Sequence, residues 1–228
     1  MQTRQSSGAD MIGLFFEVVP RPGHEQAYFD IAAGLRPELD KNPGLLFIDR
    51  FKSVGRPGIV LSHSHWRDEA SLAGWRTHAK HHAAQIAGRK LHFEDYRLRI
   101  GQLVCEWTPQ AGAPRQFETT NSYNDPVLRP ERFMIVSTAN SPIQAGVEGD
   151  LLASISRERE YIVLALASSL ADGLRMAEEF LLAGVVTSIR LYLVSRDYGM
   201  FDRKEAPQYY PPVTQVQELG SKPTDAGL

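Results

Sequence analysis

The order of secondary-structure elements predicted for residues 12–104 is the feature that most restricts the fold of this chain. The apolar stretch "LFFEVVP" predicts a strand that ends at a proline, and the amphipathic stretch after it predicts a helix. Two further strands, "LLFIDRFKS" and "IVLSHSHW", flank the turn "VGRPG". A second helix, "RDEASLAGWRTHAKHHAAQIAG", and the strand "LHFEDYRLRIGQLV" complete the order βαββαβ, which is typical of a ferredoxin-like unit.

A similar order returns in the last third of the chain. Strands are predicted at "RFMIVSTA" and "EYIVLALAS", a helix at "SLADGLRMAEEFLLAG", and a last strand at "VVTSIRLYLVSRDYG". The stretch "SPIQAGVEGDLL" predicts an irregular connection with one or two helical turns. Because a helix in each cycle begins with "SLA" and ends with "AG", we interpret the pattern as a tandem duplication with a diverged second copy.

The duplication predicts both the domain boundaries and the fold class. The predicted segments are a mobile N-terminus (1–11), a first ferredoxin-like repeat (12–105), a linker (106–131), a second repeat (132–212) and a C-terminal tail (213–228). A four-stranded sheet with both helices on one side leaves its other face uncovered. We therefore expect an α+β protein in which two antiparallel four-stranded sheets, with helices outside, pack together as a pseudo-dimeric barrel within one chain.

Composition limits the partners and the chemistry. The chain has 228 residues, 43% of them hydrophobic, and a formal net charge of −2, so the overall charge does not favour nucleic acid or a membrane surface as a partner. Its single cysteine, Cys105, excludes an internal disulfide and a cysteine metal cluster. No apolar stretch approaches the roughly 20 residues of a membrane-spanning helix. We expect a cytoplasmic protein.

The first repeat resembles the antibiotic biosynthesis monooxygenase family. The resemblance rests on "FEVVPRPG", "NPG", "DRFKS", "SHWRDEASLAGWR", "HAKHHAAQIAGR" and "FEDYRLRI", and "RDYGMFDRKEAP" is similar to the tail of single-domain members. It implies a dimeric α+β barrel and a small-molecule substrate that reacts with dioxygen without a cofactor. The predicted substrate is an electron-rich aromatic or enolic compound, because its anion can itself reduce dioxygen.

The second predicted helix of the first repeat carries the candidate site. On a helical wheel, His78, His81 and Gln85 share one flank beside an apolar stripe that contains Trp75. Arg76, Thr77 and Lys80 face away. His82 falls at the edge of the stripe, and we expect it to be a packing or surface residue.

The resemblance assigns roles to these residues. It implies that His81, His78 and Trp75 are catalytic, with histidine suited to act as the base because its ordinary pKa is about 6.5. It also implies that the substrate is bound by Gln85, Tyr96, Arg50 and Arg89. The second repeat lacks counterparts of the tryptophan, the histidines and the glutamine. We therefore expect a polar pocket in the first repeat only.

Three alternatives remain open at this stage. His78 and His82 have the i, i+4 spacing of a zinc helix, and His63 and His65 share a strand face, but there is no H-E-x-x-H motif and we predict no metal. Haem-degrading members of the same fold place an axial histidine on this helix, so a haem-binding or haem-degrading protein is the first alternative function. A non-catalytic ligand-binding or assembly protein, with histidines on an ordinary helix surface, is the second. Further homo-oligomerisation is compatible with each.

Overall fold

The computed structural model describes residues 10–119, 131–143 and 148–207. Most of the predicted N-terminal segment, the central part of the predicted linker and the C-terminal residues from 208 onward lie outside the described residues. Within the described part of the chain, no helix has the length and apolar character needed to cross a membrane.

The first half of the chain follows the predicted order, except that its second helix is divided. Its elements are β1 (Ile12–Pro20), α1 (Glu25–Leu39), β2 (Leu45–Ser53), β3 (Val60–Trp66), α2 (Glu69–Thr77), α3 (Ala79–Ala87), a π-helical turn (Gly88–His92) and β4 (Phe93–Trp107). The division lies at His78, whose extended ψ of 128° interrupts the helix that the sequence predicts to be continuous.

The second half contains a strand that the sequence does not reveal. After the two-residue strand β5 (Arg115–Gln116), the elements are β6 (Phe133–Ala139), β7 (Asp150–Ser154), β8 (Tyr161–Ala167), α4 (Leu170–Leu182) and β9 (Val186–Gly199). Strand β7 lies where the sequence indicates an irregular connection. It follows Gly149, at which φ is 142° and an added Cβ would lie 2.7 Å from Val163 Cγ1, so this turn requires glycine.

Eight strands form one closed antiparallel barrel. Their order is β1-β3-β2-β7-β8-β6-β9-β4, and pairing of β4 with β1 closes the circle. The two halves are joined at one seam by β2 and β7 and at the other by a long ladder between β4 and β9. The predicted pseudo-dimeric α+β barrel within one chain is therefore confirmed. The two sheets are hydrogen-bonded edge to edge as well as packed face to face.

Alternation along the strands divides the side chains between the barrel interior and the helices. Phe15, Phe51 and Leu61 of the first half pack inside the barrel against residues such as Met134 and Leu152 of the second half. This shared core covers the sheet faces that neither half could bury alone, and apolar burial of this kind is the main term that favours folding. The opposite sheet faces carry the helices.

Candidate active site

A cavity of about 190 Å³ lies between the outer face of the first half-sheet and helices α1–α3. Strands β1–β4, the three helices and the chain after β9 all contribute to its wall. The apolar part of the wall consists of Leu14, Phe16, Ile31, Ala32, Leu35, Leu39, Ile48, Trp66, Trp75, Ala84, Phe93, Leu98 and Pro207. The polar part consists of Tyr28, Arg50, Ser62, Ser64, Arg76, His81, Gln85, Arg89, Tyr96, Tyr198 and Arg203. A mostly apolar wall with a few placed polar groups is typical of a small-molecule site.

The break between α2 and α3 places His81 in this wall. In an uninterrupted helix the carbonyl of Trp75 would accept a hydrogen bond from the backbone of Ala79. Here it accepts from the backbone N–H of His78 at 3.1 Å and from the His81 ring at 2.9 Å. The His81 ring also stacks on Trp75, with 4.5 Å between the ring centroids and 14° between the planes. The imidazole is thus held on two sides.

These contacts decide the tautomer and the charge of His81. A carbonyl oxygen can only accept, so Nδ1 carries the hydrogen and Nε2 keeps its lone pair. Burial is the main cause that lowers the pKa of His81 to about 4, opposed by the hydrogen bond to the Trp75 carbonyl and assisted by the neighbouring His78 and His82. The ring is therefore neutral at pH 7, with an unprotonated nitrogen available as a base.

The other two histidines of the helix lie elsewhere. His78 stacks on Trp75 at 5.4 Å between centroids, but it is not part of the cavity wall, contrary to the position expected from the wheel. The reason is the extended backbone at His78 itself, which ends the helical rotation assumed from Trp75 onward. His82 lies outside the cavity wall, as expected; its backbone N–H bonds to the His78 carbonyl and begins α3.

Among the residues that the structure describes, four arginines reach the cavity and no acidic residue belongs to its wall. They are Arg50 from β2, Arg76 from α2, Arg89 from the π-helical turn and Arg203 from the chain after β9. The helical wheel placed Arg76 on the side of the helix that faces away from the cavity. The break after Thr77 does not explain its position in the wall, because Arg76 precedes the break. We have no physical account of that difference. The excess of guanidinium groups gives the cavity a positive potential that favours an anionic ligand.

Two of these arginines converge on one tyrosine. Arg89 and Arg203 each donate to the Tyr96 hydroxyl oxygen, at 2.7 and 2.9 Å. Within the described part of the chain, Nε of Arg203 is buried without a hydrogen-bond partner, and the same is true of Nε of Arg50. A buried donor without a partner costs free energy. A carboxylate in the cavity would relieve that cost, because it offers up to four acceptor positions.

A second polar group lies on the α1 side of the cavity. The Tyr28 hydroxyl is hydrogen-bonded to Arg50 and Ser62, and burial raises the pKa of this tyrosine, with Arg50 acting in the opposite direction. Tyr28 therefore stays neutral at pH 7 and can donate to a bound oxygen.

Six of the seven residues proposed from the sequence lie in the cavity wall: Trp75, His81, Gln85, Tyr96, Arg50 and Arg89. Sequence reasoning did not identify Tyr28, Ser62, Tyr198 or Arg203 as part of it. The last two belong to "RDYGMFDRKEAP", whose likeness to a family tail was the one available signal. That segment lies at the end of the second repeat, yet it completes the site of the first.

The corresponding space in the second half is filled. Met176, Ala177 and Phe180 of α4 pack on residues of β6, β8 and β9 to form a buried apolar cluster. An added Cβ at Gly173 would lie 2.8 Å from Leu191 Cδ2, so helix and sheet are in close contact there. Among the described residues, no three His, Cys, Asp or Glu side chains are grouped so as to hold a metal ion.

Comparisons with known proteins identify the family. The family model for antibiotic biosynthesis monooxygenase matches residues 11–87. A jasmonate monooxygenase of Pyricularia oryzae is 35% identical over 229 residues, which cover 90% of this chain and all of the relative. This chain belongs to the antibiotic biosynthesis monooxygenase family. Membership indicates oxygenation of a small molecule, with dioxygen as the second substrate.

Other similarities are partial. An uncharacterised Bacillus subtilis protein is 30% identical over 61 residues, 27% of this chain and 52% of its own. A Fusobacterium nucleatum protein of known structure covers 83% of this chain and 94% of its own, with a TM-score of 0.41 and 6% identity. A Methanosarcina mazei protein of known structure covers 41% of this chain and 92% of its own, with a TM-score of 0.38 and 16% identity.

Proposed function

We propose that this protein is a cofactor-independent monooxygenase whose substrate is a small organic acid with an apolar body and an electron-rich or enolisable centre. The observation that carries the proposal is His81, whose Nδ1 is engaged by the Trp75 carbonyl and whose Nε2 is left as a base in the cavity wall. An orienting hydrogen bond on one ring nitrogen and a free lone pair on the other is the arrangement that a general base requires.

The substrate class follows from the charges of the cavity. Arg50, Arg89 and Arg203 offer donors for a carboxylate, and the aliphatic and aromatic wall suits the rest of the molecule. The name of the jasmonate monooxygenase relative supports the same class, since a jasmonate is a cyclopentanone with an apolar chain and a carboxylate-bearing side chain. Its ketone can form an enolate. We propose a jasmonate or a compound of that type, which replaces the aromatic alternative as the first substrate to test.

The chemistry needs no external reductant. His81 Nε2 removes a proton from the carbon beside the carbonyl, and the resulting enolate passes an electron to dioxygen. Recombination at that carbon forms a peroxide, which loses water to leave a second carbonyl. A methylene group is thereby oxidised by four electrons, and dioxygen is reduced to one carbonyl oxygen and one water. The apolar wall excludes bulk water from these steps, and the arginines hold the anion.

The low pKa of His81 is compatible with this role. A base with a pKa of about 4 in the empty cavity is a weak proton acceptor. An enolate formed beside the ring stabilises the imidazolium, since an opposite charge within about 4–6 Å favours the charged form. The low pKa in turn keeps the base unprotonated over a wide pH range.

The haem alternative fits the cavity poorly. The volume of about 190 Å³ is below the roughly 300–1,000 Å³ common for drug-sized ligands, and a porphyrin is larger than most of these. The cavity lies between the sheet and helices α1–α3, and four arginines share its wall with His81. A haem would have to separate these helices from the barrel.

The decisive experiment compares an acid substrate with its methyl ester. Oxygen uptake is measured with jasmonic acid and methyl jasmonate, using the wild type, Arg203→Gln, and Arg175→Gln as a matched control on the exposed face of α4. Losing a hydrogen bond to a carboxylate costs about 1.5–3 kcal/mol, so Arg203→Gln should raise KM for the acid about 10- to 100-fold and leave KM for the ester nearly unchanged.

Three outcomes would contradict the proposal. If Arg203→Gln changed KM equally for the acid and the ester, the arginine would not bind the carboxylate of the substrate. Binding of jasmonic acid without oxygen uptake would favour a non-catalytic ligand-binding protein. A Soret band with one haem per chain would favour the haem alternative.

A further inference from the structure

A second group of polar side chains lies inside the barrel, away from the cavity. It consists of His63 and His65 of β3 and Tyr192 of β9, none of which belongs to the cavity wall. Nε2 of His65 lies 2.9 Å from Nε2 of His63 and 3.0 Å from the Tyr192 hydroxyl oxygen. All three residues are buried, with Tyr192 fully enclosed. One half of the chain supplies the imidazoles and the other half the phenol.

The backbone is built to let these groups meet. Residues 63 and 65 are two positions apart along β3, so their side chains lie on the same face of the strand, which points into the barrel. Tyr192 reaches them because two glycines in facing strands leave room for its side chain. An added Cβ at Gly13 would lie 2.7 Å from Tyr192 Cε1, and one at Gly101 would lie 2.9 Å from Tyr192 Cβ. Glycine in a strand interior weakens the strand and often marks such a close approach.

One nitrogen, His65 Nε2, takes part in two of the three short contacts, and it has only one hydrogen or one lone pair for both. Nδ1 of His63 lies 3.1 Å from the Leu14 carbonyl oxygen and must carry a hydrogen, so Nε2 of a neutral His63 has only a lone pair. His65 Nε2 must then donate to it, which leaves the same nitrogen unable to accept from Tyr192. If His63 is instead charged, His63 and Tyr192 both donate to one lone pair of His65. In each case the contacts to His63 and Tyr192 must share one hydrogen or one lone pair of His65 Nε2.

A cation at the centre removes this conflict, because it accepts all three lone pairs at once. We propose that His63 Nε2, His65 Nε2 and the Tyr192 oxygen bind one divalent transition-metal ion, of which Zn²⁺ and Cu²⁺ suit two imidazoles and a phenolate. On binding, the phenol proton is released to solvent and the oxygen coordinates as phenolate. The ion joins the first half of the barrel to the second from within.

The two imidazoles need only a small adjustment to share a metal ion. Zinc–nitrogen distances of about 2.0–2.1 Å in a tetrahedral site hold two nitrogens about 3.3 Å apart. The two Nε2 atoms, now 2.9 Å apart, would move by a few tenths of an ångström. The bond from His63 Nδ1 to the Leu14 carbonyl is the outer contact that commonly orients a metal-binding histidine.

The surrounding charges are mixed. Asp49, which faces His63 across the β2–β3 ladder, favours a cation there. The positive charge of Arg190 disfavours a cation near both imidazoles. Its guanidinium is paired with Glu106 at 2.7 Å, which offsets part of that charge. Burial lowers the pKa of both His63 and His65, so both rings are neutral and able to coordinate at pH 7.

The test titrates metal into the full-length protein after treatment with a chelator. ZnCl₂ binding is followed by calorimetry and thermal unfolding, and CuCl₂ binding by visible absorption. We expect one ion per chain, a rise in Tm of about 5–10 °C at a free metal concentration 100 times Kd, and a phenolate-to-copper charge-transfer band. Tyr192→Phe should weaken zinc binding at least about tenfold and abolish the band, and His65→Gln should abolish tight binding.

A matched control separates this site from adventitious binding. His24 and His92 form a second histidine pair near the surface, with 3.0 Å between their Nδ1 atoms, and His92→Gln should leave the affinity and the band unchanged. Loss of binding in His92→Gln, or unchanged binding in Tyr192→Phe, would overturn the proposal. Tyr192→Phe removes only the hydroxyl, so it keeps the test decisive if His65→Gln fails to fold.

Discussion

The two halves of the barrel place helices on equivalent sheet faces, yet the described residues of the first half line a polar cavity where those of the second form a packed core. In the first half, short side chains such as Ser62 and Ser64 on the sheet and Ala32 and Ala84 on the helices leave the space open. In the second half, Phe180 and its neighbours fill it. The comparison teaches that the shared fold supplies the location, and that side-chain volume decides whether a site forms there.

The helices differ as well. Helix α4 runs without interruption from an N-cap at Ser169, whose hydroxyl accepts from the Asp172 backbone. The equivalent stretch of the first half is divided at His78, and the freed Trp75 carbonyl is used to orient His81. The break costs helical hydrogen bonds, but it frees the carbonyl that holds the base of the candidate active site in place.

The largest expected effect comes from removing His81, and it tests whether activity depends on the base in the first half. His81→Ala should lower kcat/KM for oxygen uptake by about 10²–10⁴, because removing a general base costs that much. His82→Ala is the matched control on the same helix, and it should retain most of the activity with a loss of at most about 1–2 kcal/mol in unfolding free energy. Steady-state rates and urea unfolding give both numbers. A loss of activity in His82→Ala alone would reverse the assignment of the two histidines.

The second prediction opens the core of the second half. Phe180 is fully buried, so Phe180→Ala should lower the free energy of unfolding by about 3–5 kcal/mol through lost burial and a residual cavity. Activity per folded molecule should persist, since Phe180 is remote from the cavity wall. Urea denaturation combined with oxygen uptake at low temperature measures this. A fall in kcat/KM of the folded variant as large as that of His81→Ala would contradict the functional separation of the halves.

The third prediction makes the reverse change in the first half. Ala84→Leu adds volume to the cavity wall without removing a polar group, so KM should rise at least about tenfold while Tm stays equal or increases. Helix α3 tolerates leucine, which has a high helix propensity. Initial rates at increasing substrate concentration give KM, and thermal unfolding gives Tm. An unchanged KM would mean that the substrate binds elsewhere.

The smallest expected effect concerns pH. Because burial lowers the pKa of His81 to about 4, the base is unprotonated above that pH, and kcat/KM should fall on the acidic side near pH 4 rather than near 6.5. At pH 5.5 the activity should be within about 10% of its plateau, whereas an ordinary histidine would leave about a tenth. An acidic limb centred near pH 6.5 would show that His81 is not the group that titrates.

Acid should also destabilise the fold, and the sign follows from the same pKa values. His63 and His81 have folded pKa values of about 4, below their unfolded values, so their contribution to stability is present above about pH 6.5 and is lost as the pH falls toward 4. Each group lowers the unfolding free energy by up to about 1.4 kcal/mol per pH unit in that window. Urea unfolding at several pH values should show this slope, and His63→Gln should reduce it.

Much of the candidate site could be predicted because it depends on residue types and short-range spacing. The motif residues Trp75, His81, Gln85, Arg89 and Tyr96 all lie in the cavity wall. His78 was misplaced because the wheel assumes a regular helix. Its extended backbone depends on the ring of His81 replacing a backbone donor, and such a contact is invisible in a pattern of apolar spacing.

The short strand β7 shows a different limit. Its five residues carry too little alternation to indicate a strand, and it is held by pairing with β8 on one side and with β2 of the other half on the other side. The contribution of Arg203 to the first-half cavity likewise depends on where β9 ends after crossing the barrel. Both features depend on contacts between residues that are about 100 positions or more apart in the sequence.

The sequence by itself determined most strands and helices of each repeat, the pairing of the repeats and the family, because apolar periodicity and motif spacing are local properties of the chain. Only the tertiary structure decided which side chains share a space. It brought Arg203 to Tyr96, set Tyr192 against His65 and left the first half open where the second is filled. These outcomes depend on barrel closure and on how the side chains of distant residues fill the space between them. A local sequence pattern does not carry that information.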